Sequence, residues 1–159
     1  MAGISKTNVA RLLDKAKIKY ELVPYVVDEN DNLNEWFPEH CLDRIYLNFS
    51  DPWPKKGHAK RRLTHRGFLE IYKNLLKDDG ILRLKTDNVG LFDFSLEEFA
   101  ACGLTVEWLS RDLHASEIAA DNVMTEYERN FSLQGMPIYR LVARKHPPKA
   151  EQKPEEIAE

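Results

Sequence analysis

Hydrophobic positions recur along this chain with two different periods. Over residues 5–17, Val9, Leu12, Leu13 and Ala16 fall at i, i+3, i+4 and i+7 among Arg11, Asp14, Lys15 and Lys17, which predicts an amphipathic helix with one apolar face. Residues 20–27 (YELVPYVV) are aromatic and β-branched enough for a strand, and Pro24, which lacks a ladder donor, pushes that strand to an edge or a bulge. The acidic, Asn-rich run Asp28–Asn32 then predicts a loop. Ile45, Tyr46, Leu47 and Phe49 lie nearly consecutively in residues 43–50, the pattern of a strand buried on both faces of a parallel sheet, and the run stops at Asp51-Pro52. From Thr64 onward, Phe68, Ile71, Tyr72, Leu75 and Leu76 form a helical stripe, with Thr64 as N-cap and Gly80 just past the end. Ile81–Thr86 predicts a strand, Phe92, Leu96 and Phe99 continue a helix over 88–102, and Leu104–Leu109 returns to strand. Thr125–Leu133 predicts a helical turn, Gly135-Met136-Pro137 a breaker, and Ile138–Arg144 a last strand.

The β-α-β-α-β alternation predicts an α/β fold with a parallel sheet, whose ligands gather at the carboxyl ends of its strands: Asp28–Asn32, Ser50–Pro54, Thr86–Asn88 and the stretch after Leu109. We expect one domain over residues 1–145 and a disordered tail over 146–159, where Pro, Glu and Lys leave almost nothing apolar. With 43% hydrophobic and 31% charged residues the chain falls among ordinary globular proteins, and no apolar run approaches the ~18 residues of a membrane span. No secretory signal follows Met1, so we expect a cytoplasmic protein without membrane contact; Cys41 and Cys102 read as reduced thiols in no metal-like spacing, and no metal is expected. A net charge of −3 excludes indiscriminate coating of nucleic acid but not a local basic site.

Such a site lies in Asn48–Arg62, where the 43–50 strand ends in Asp-Pro-Trp-Pro. Between Lys55 and Arg66 stand six Lys or Arg (55, 56, 60, 61, 62 and 66), His58 and His65, and no acid. Lysine and arginine supply phosphate contacts on nucleic acids, and Trp53 or His58 offers a ring to an unpaired base; a solvated basic loop with a structural tryptophan is the plainer alternative. Asp51 either caps the next turn or accepts the N1–H and N2–H₂ donors of a guanine. Asp87, in Lys85-Thr86-Asp87-Asn88, repeats the pattern at the next strand end or caps the 88–102 helix. Thr125-Glu126-Tyr127-Glu128 alone is compatible with a capping box.

Taken together, Tyr46-Leu47-Asn48-Phe49-Ser50-Asp51-Pro52-Trp53-Pro54-Lys55-Lys56, His58-Ala59-Lys60-Arg61-Arg62, Lys85-Thr86-Asp87-Asn88 and Thr125-Glu126-Tyr127-Glu128 resemble the bacterial tRNA (guanine-N7-)-methyltransferase family, TrmB, from about Ile4 to Lys145 and in the family's order. The resemblance implies a Rossmann-like class I methyltransferase fold, S-adenosylmethionine as methyl donor, and transfer to N7 of guanine 46 in the tRNA variable loop. It implies that Asp51 is the principal catalytic-site acid and also faces the cofactor, that His58 and Arg61 matter for activity, and that Lys55 contacts substrate. It makes Gly57, His58, Ala59, Lys60, Arg61 and Arg62 the RNA-interacting stretch, and places Asp87, Thr125, Glu126, Tyr127 and Glu128 at substrate-binding positions. Asp28 or Glu29 falls at the acid near the cofactor's adenine, with an apparent one-residue insertion in Glu29–Leu33.

The departure is at the front. The family opens with a strand, a Gly-rich turn and a second strand ending in a ribose-binding acid, whereas this sequence has seven glycines, no G-x-G cluster, and begins at what resembles the helix after the second strand. We therefore expect a methyltransferase domain lacking its first strands and Gly-rich turn, whether truncated or completed by another chain, and by itself a poor binder of S-adenosylmethionine. A non-catalytic tRNA-binding fragment, or one half of a split methyltransferase, is the alternative from a different class. Monomer and homodimer both stay open.

Overall fold

The computed structural model describes residues 14–17 and 33–145. The chain divides into two units, Met1–Asn32 and Leu33–Glu159. In the first, Asp14 and Lys15 are helical and the Lys17 N–H donates to the Asp14 carbonyl at 3.0 Å. The remainder of the predicted 5–17 helix, the 20–27 strand and the Asp28–Asn32 loop lie outside the described residues, as does the tail from His146.

In the second unit the order is α1 (Leu33–Trp36), β1 (Leu42–Asn48), a 3₁₀ helix (Lys56–Arg61), α2 (Arg66–Leu75), β2 (Leu76–Thr86), α3 (Val89–Ala101), β3 (Thr105–Ser110), two 3₁₀ turns (Leu113–Ala115 and Ala119–Asp121), α4 (Glu126–Ser132) and β4 (Tyr139–Arg144). The sheet order is β1-β2-β4-β3. β1 and β2 pair in parallel, while β4 is antiparallel to both β2 and β3. The expected wholly parallel sheet is thus corrected. β1, β2 and β3 do run the same way, but β4 returns between β2 and β3, and the hydrophobic period that reveals a strand carries no information about its direction.

Period-2 alternation gives the sheet two unlike faces. Leu47, Leu82, Leu84, Leu141 and Ala143 point to one side, where they meet Leu69 and Tyr72 of α2 and Phe92 and Phe99 of α3. Removing Leu82 or Leu84 from water contributes ~1.5–3 kcal/mol each, since neither has any exposed surface. Burial in this layer pushes the Tyr72 hydroxyl pKa up to about 12. The opposite side carries Tyr46, Arg83 and Arg140, and Tyr46 is 51% exposed. β1 is therefore buried on one face among the described residues, not on two as its run of apolar residues predicts.

The helix boundaries shift for specific reasons. The cap of α2 is His65, whose Nδ1 accepts from the Gly67 N–H at 3.1 Å, and Thr64 is instead buried with its hydroxyl 2.8 Å from that of Ser95 on α3. α2 ends at Leu75, well before Gly80. Leu76 already pairs with Leu42, the next pair is Arg44 with Ile81, and Lys77–Gly80 bulge out between them. Gly80 is needed there because a Cβ would lie 2.9 Å from the Leu76 side chain and from the Lys77 carbonyl oxygen. The start of α2 is tied to α3 by Glu98, which accepts from the Arg66 backbone N–H at 2.6 Å and from its Nη2 at 2.8 Å. Those hydrogen bonds hold the Glu98 carboxyl below its ordinary pKa. Cys41 and Cys102 are both free thiols.

Candidate functional site

The β1 strand stops at Asn48, and Phe49 makes one more parallel-ladder bond, its N–H donating to the Lys85 carbonyl at 2.8 Å. The chain then turns sharply: Phe49 and Trp53 both occupy the left-handed region, with φ of 53° and 40°. For residues with a Cβ this conformation costs on the order of 1–2 kcal/mol each, so something must hold the turn. Arg62 does so from ten residues downstream. Its Nε donates to the Pro52 carbonyl at 3.0 Å, its Nη2 to the Trp53 carbonyl at 3.1 Å, and its guanidinium lies 4.3 Å from the centre of the Phe94 ring. Arg61 covers the Trp53 ring at 5.1 Å, and His58 meets the same ring edge-on at 5.8 Å. Trp53 and three of the basic residues therefore build a folded turn. Asp51 stands exposed at its tip, and Lys55, Lys56 and Lys60 are exposed along the following 3₁₀ helix. Gly57 and Ala59 are backbone spacers of that helix.

A cavity of about 360 Å³ opens beside the turn, lined by Phe49, Ser50, Asp51, Trp53, Arg61 and Leu63. The Ser50 hydroxyl is buried at its edge without a hydrogen-bond partner among the described residues. β2 delivers the second carboxylate to the same end. Asn88, not Asp87, caps α3, its Oδ1 accepting from the Leu91 N–H at 2.8 Å, which leaves the half-buried Asp87 carboxylate uncommitted to the helix. Tyr127 completes the group: its ring lies 4.8 Å from that of Phe49 and 4.5 Å from that of Phe131. Burial, then the charges of Asp87 and Asp51, push its hydroxyl pKa up.

Thr125–Glu128 divides its residues among different tasks. Thr125 caps α4 by accepting from the Glu128 N–H at 3.1 Å, so half of a capping box is present. Glu128 does not complete the box. Its carboxylate is fully buried and receives Lys85 Nζ at 2.8 Å, Asn122 Nδ2 at 2.6 Å and His114 Nε2 at 2.8 Å. Burial alone would raise its pKa, and the three donors outweigh it, leaving the carboxyl below the ordinary value. With Nε2 protonated, His114 Nδ1 accepts from the Ser132 hydroxyl at 2.9 Å and ties the network to the far end of α4. Glu126 is exposed on the first turn.

Of the sequence-predicted residues, the fold brings Asp51, His58, Arg61, Asp87 and Tyr127 to one end of the sheet, sends Arg62 into the turn's backbone, and buries Glu128. Asp28 and Glu29 lie outside the described residues. Phe49, Ser50 and Lys85 stand in the quoted motifs without an assigned role, and the pattern gave no signal for His114 and Asn122. Among the described residues no helix is long and apolar enough to cross a membrane, and no three His, Cys, Asp or Glu are grouped to hold a metal ion.

A family model described as "Putative methyltransferase" matches residues 4–141. The tRNA (guanine-N(7)-)-methyltransferase of Brevibacillus brevis is 51% identical over 130 residues, covering 80% of this chain and 61% of the relative. That of Limosilactobacillus reuteri is 46% identical over 142 residues, covering 88% and 66%. Among solved structures, geranyl diphosphate C-methyltransferase from Streptomyces coelicolor A3(2) aligns with a TM-score of 0.46 at 15% identity, over 86% of this chain and 59% of that one. The chain spans less than two thirds of the length of the curated relatives it matches. With the family model matched over most of its residues and a mixed α/β sheet flanked by helices, the chain belongs to this methyltransferase family and carries part of its Rossmann-like class I fold.

Proposed function

We propose that residues 1–145 are part of a cytoplasmic methyltransferase that moves a methyl group from S-adenosylmethionine to N7 of guanine 46 in the tRNA variable loop. The observation that carries this reading is the turn that Arg62 holds by the Pro52 and Trp53 carbonyls, which sets Asp51 in one cavity with Phe49, whose ring meets that of Tyr127. Guanine N7 is a lone-pair acceptor without a proton, so the residues have no base to supply; their work is to hold the purine in line and keep water out. Asp51 and Asp87 offer carboxylate oxygens to the N1–H and N2–H₂ edge and favour the positive charge that develops on the ring. Tyr127 and Phe49 offer an aromatic wall, and Lys55, Lys60 and Arg61 offer charge to phosphates. His58 positions Trp53 and thereby the turn.

The chemistry supplied by S-adenosylmethionine is an electrophilic methyl on a sulfonium. The unpartnered Ser50 hydroxyl and the Asp51 carboxylate, both lining one cavity at the carboxyl end of β1, fit its polar groups. Glu128, whose oxygens already receive three donors, supports α4 and so aims Tyr127.

The test is Asp51→Ala in this chain fused to the part of the Brevibacillus relative that it does not cover, assayed with unmodified tRNA. Methylation should fall at least ~100-fold while tRNA affinity stays within about twofold, because a base-reading carboxylate adds nothing to the phosphate term. Wild-type turnover in the mutant would overturn the assignment. A wild-type fusion that binds tRNA but never methylates it would favour the non-catalytic RNA-binding fragment instead.

A further inference from the structure

The sheet face opposite α2 and α3 carries two guanidinium groups with no carboxylate partner among the described residues. Arg83 on β2 lies diagonally across from Arg140 on β4, because Arg83 pairs with Val142 and Lys85 with Arg140. Their Nε atoms are both buried and both lack a hydrogen-bond acceptor. Each guanidinium is braced by an aromatic ring, Arg83 by Tyr46 at 5.5 Å and Arg140 by Trp108 at 5.8 Å. Arg83 is further steadied by the Tyr46 hydroxyl at 3.5 Å. Leaving two buried donors unmet costs ~1–3 kcal/mol apiece, and the like charges repel besides. Burial and then the nearness of Arg83 lower the Arg140 pKa, and the buried charge of Glu128 offsets them only in part.

A cavity of about 350 Å³ lies over this pair, lined also by Asn48, Asn122, Val123 and Thr125. Among the described residues neither arginine forms an ion pair with the cavity's other charges. Lys85 also lines it, but its ammonium is committed to the Glu128 carboxylate, the Asn122 side-chain Oδ1 and the Val123 backbone carbonyl. Asp121 contributes one solvent-exposed carboxylate at the rim. Thr125, which accepts from the Glu128 N–H, keeps its own O–H to donate.

We propose that Arg83 and Arg140 form an anion site that takes a phosphoryl group, either a phosphodiester of the RNA strand or free inorganic phosphate. Two planar guanidiniums held by aromatic rings present paired N–H donors to tetrahedral oxygens, the geometry in which arginine outperforms lysine. The site lies on the sheet face opposite α2 and α3 and would add a second anchor to the 55–66 turn. The RNA source rests on the function proposed above; the anion site itself does not.

The test uses the full 159-residue chain. Calorimetric titration with inorganic phosphate, at constant ionic strength set by chloride, should show binding that weakens at least about tenfold in Arg83→Gln and in Arg140→Gln, with Arg129→Gln, outside the cavity, unchanged. Arg83→Lys, which keeps charge but loses the fork, should recover only part of the affinity, and matched circular dichroism spectra separate lost binding from lost folding. In a second arm, a short single-stranded oligoribonucleotide is titrated across salt concentrations. If the ligand is a phosphodiester, Arg83→Gln flattens the log–log slope by ~0.7 and phosphate competes with the strand; if it is free phosphate, only the first arm responds. Equal affinities for both ligands in wild type and both glutamine variants would overturn the site. Phosphate binding without any tRNA methylation by the fusion would leave the anion site standing and sink only the function.

Discussion

The turn Phe49–Trp53 and the segment Thr125–Glu128 each place a carboxylate just beyond a secondary-structure boundary, yet Asp51 stands in solvent and Glu128 has no exposed surface. In the turn a cation holds the backbone: Arg62 satisfies the Pro52 and Trp53 carbonyls, and the carboxylate is left over. At α4 a hydroxyl holds the backbone, through the Thr125 cap, and the carboxylate turns inward against Lys85, Asn122 and His114. A carboxylate has about four acceptor positions, and whether the fold fills them decides whether a motif acid can read a base or only support the scaffold. The difference separates two acids that the family resemblance places together.

The sharpest way to break that contrast is to remove each acid and measure stability by urea unfolding of the 159-residue chain. Glu128→Ala should cost ~3–5 kcal/mol, because Lys85 is left charged and almost wholly buried without its partner. Asp51→Ala should stay within about 0.5 kcal/mol of wild type. The pH dependence should separate them again. The folded Glu128 pKa is held below its ordinary value, so its contribution is present above the ordinary carboxylate range and is lost as pH falls through the folded pKa. Glu128→Gln should therefore flatten the acid limb of the stability curve. Equal effects of the two alanine substitutions would erase the distinction between a scaffold acid and a site acid.

An intermediate effect belongs to the cation that holds the turn. Arg62→Ala should lower stability by ~1–3 kcal/mol by stranding two carbonyls and releasing the left-handed residues. Arg62→Lys should recover little of it, since one ammonium cannot reproduce the fork that reaches both carbonyls. Tryptophan fluorescence of the Trp53 turn should shift in both variants. An unchanged spectrum and midpoint would mean that the turn holds its shape without Arg62.

Much of this arrangement was legible in the residues, and the gaps have identifiable causes. Ile45–Phe49, Ile81–Thr86 and the 88–102 helix follow from hydrophobic period alone, and the Asp-Pro-Trp-Pro break marked where β1 had to stop. The inserted β4 was not legible, because alternation in Ile138–Arg144 reveals a strand but not its neighbours. The same blindness hid the Arg83–Arg140 pair: each arginine is visibly on the polar side of its strand, but only antiparallel β2–β4 pairing sets them diagonally together. Asp87 and Asn88 are both competent caps, and adjacency could not choose between them. Arg62 is one of three consecutive cations, Lys60-Arg61-Arg62; charge counting weights them alike, although their side chains do different work.

The smallest structural effect, and the one that sharpens the comparison most selectively, is expected at Lys60 and Arg61. Both are exposed, and among the described residues the Arg61 side chain meets the Trp53 ring, a contact of ~0.5–1 kcal/mol. Neutralising the two as Lys60→Gln and Arg61→Gln should therefore shift the unfolding midpoint far less than Arg62→Ala does. Binding should respond in the opposite order. If these side chains face phosphates, losing both lowers the slope of log affinity against log salt for tRNA by ~0.7–0.9 per contact, whereas Arg62, already spent on carbonyls, lowers affinity only through the misshapen turn and leaves the slope nearly unchanged. Fluorescence anisotropy with labelled tRNA over a salt series measures both quantities. Equal slopes in the double variant and wild type would mean that this stretch is a solvated surface and that the turn's charge serves the protein rather than a ligand.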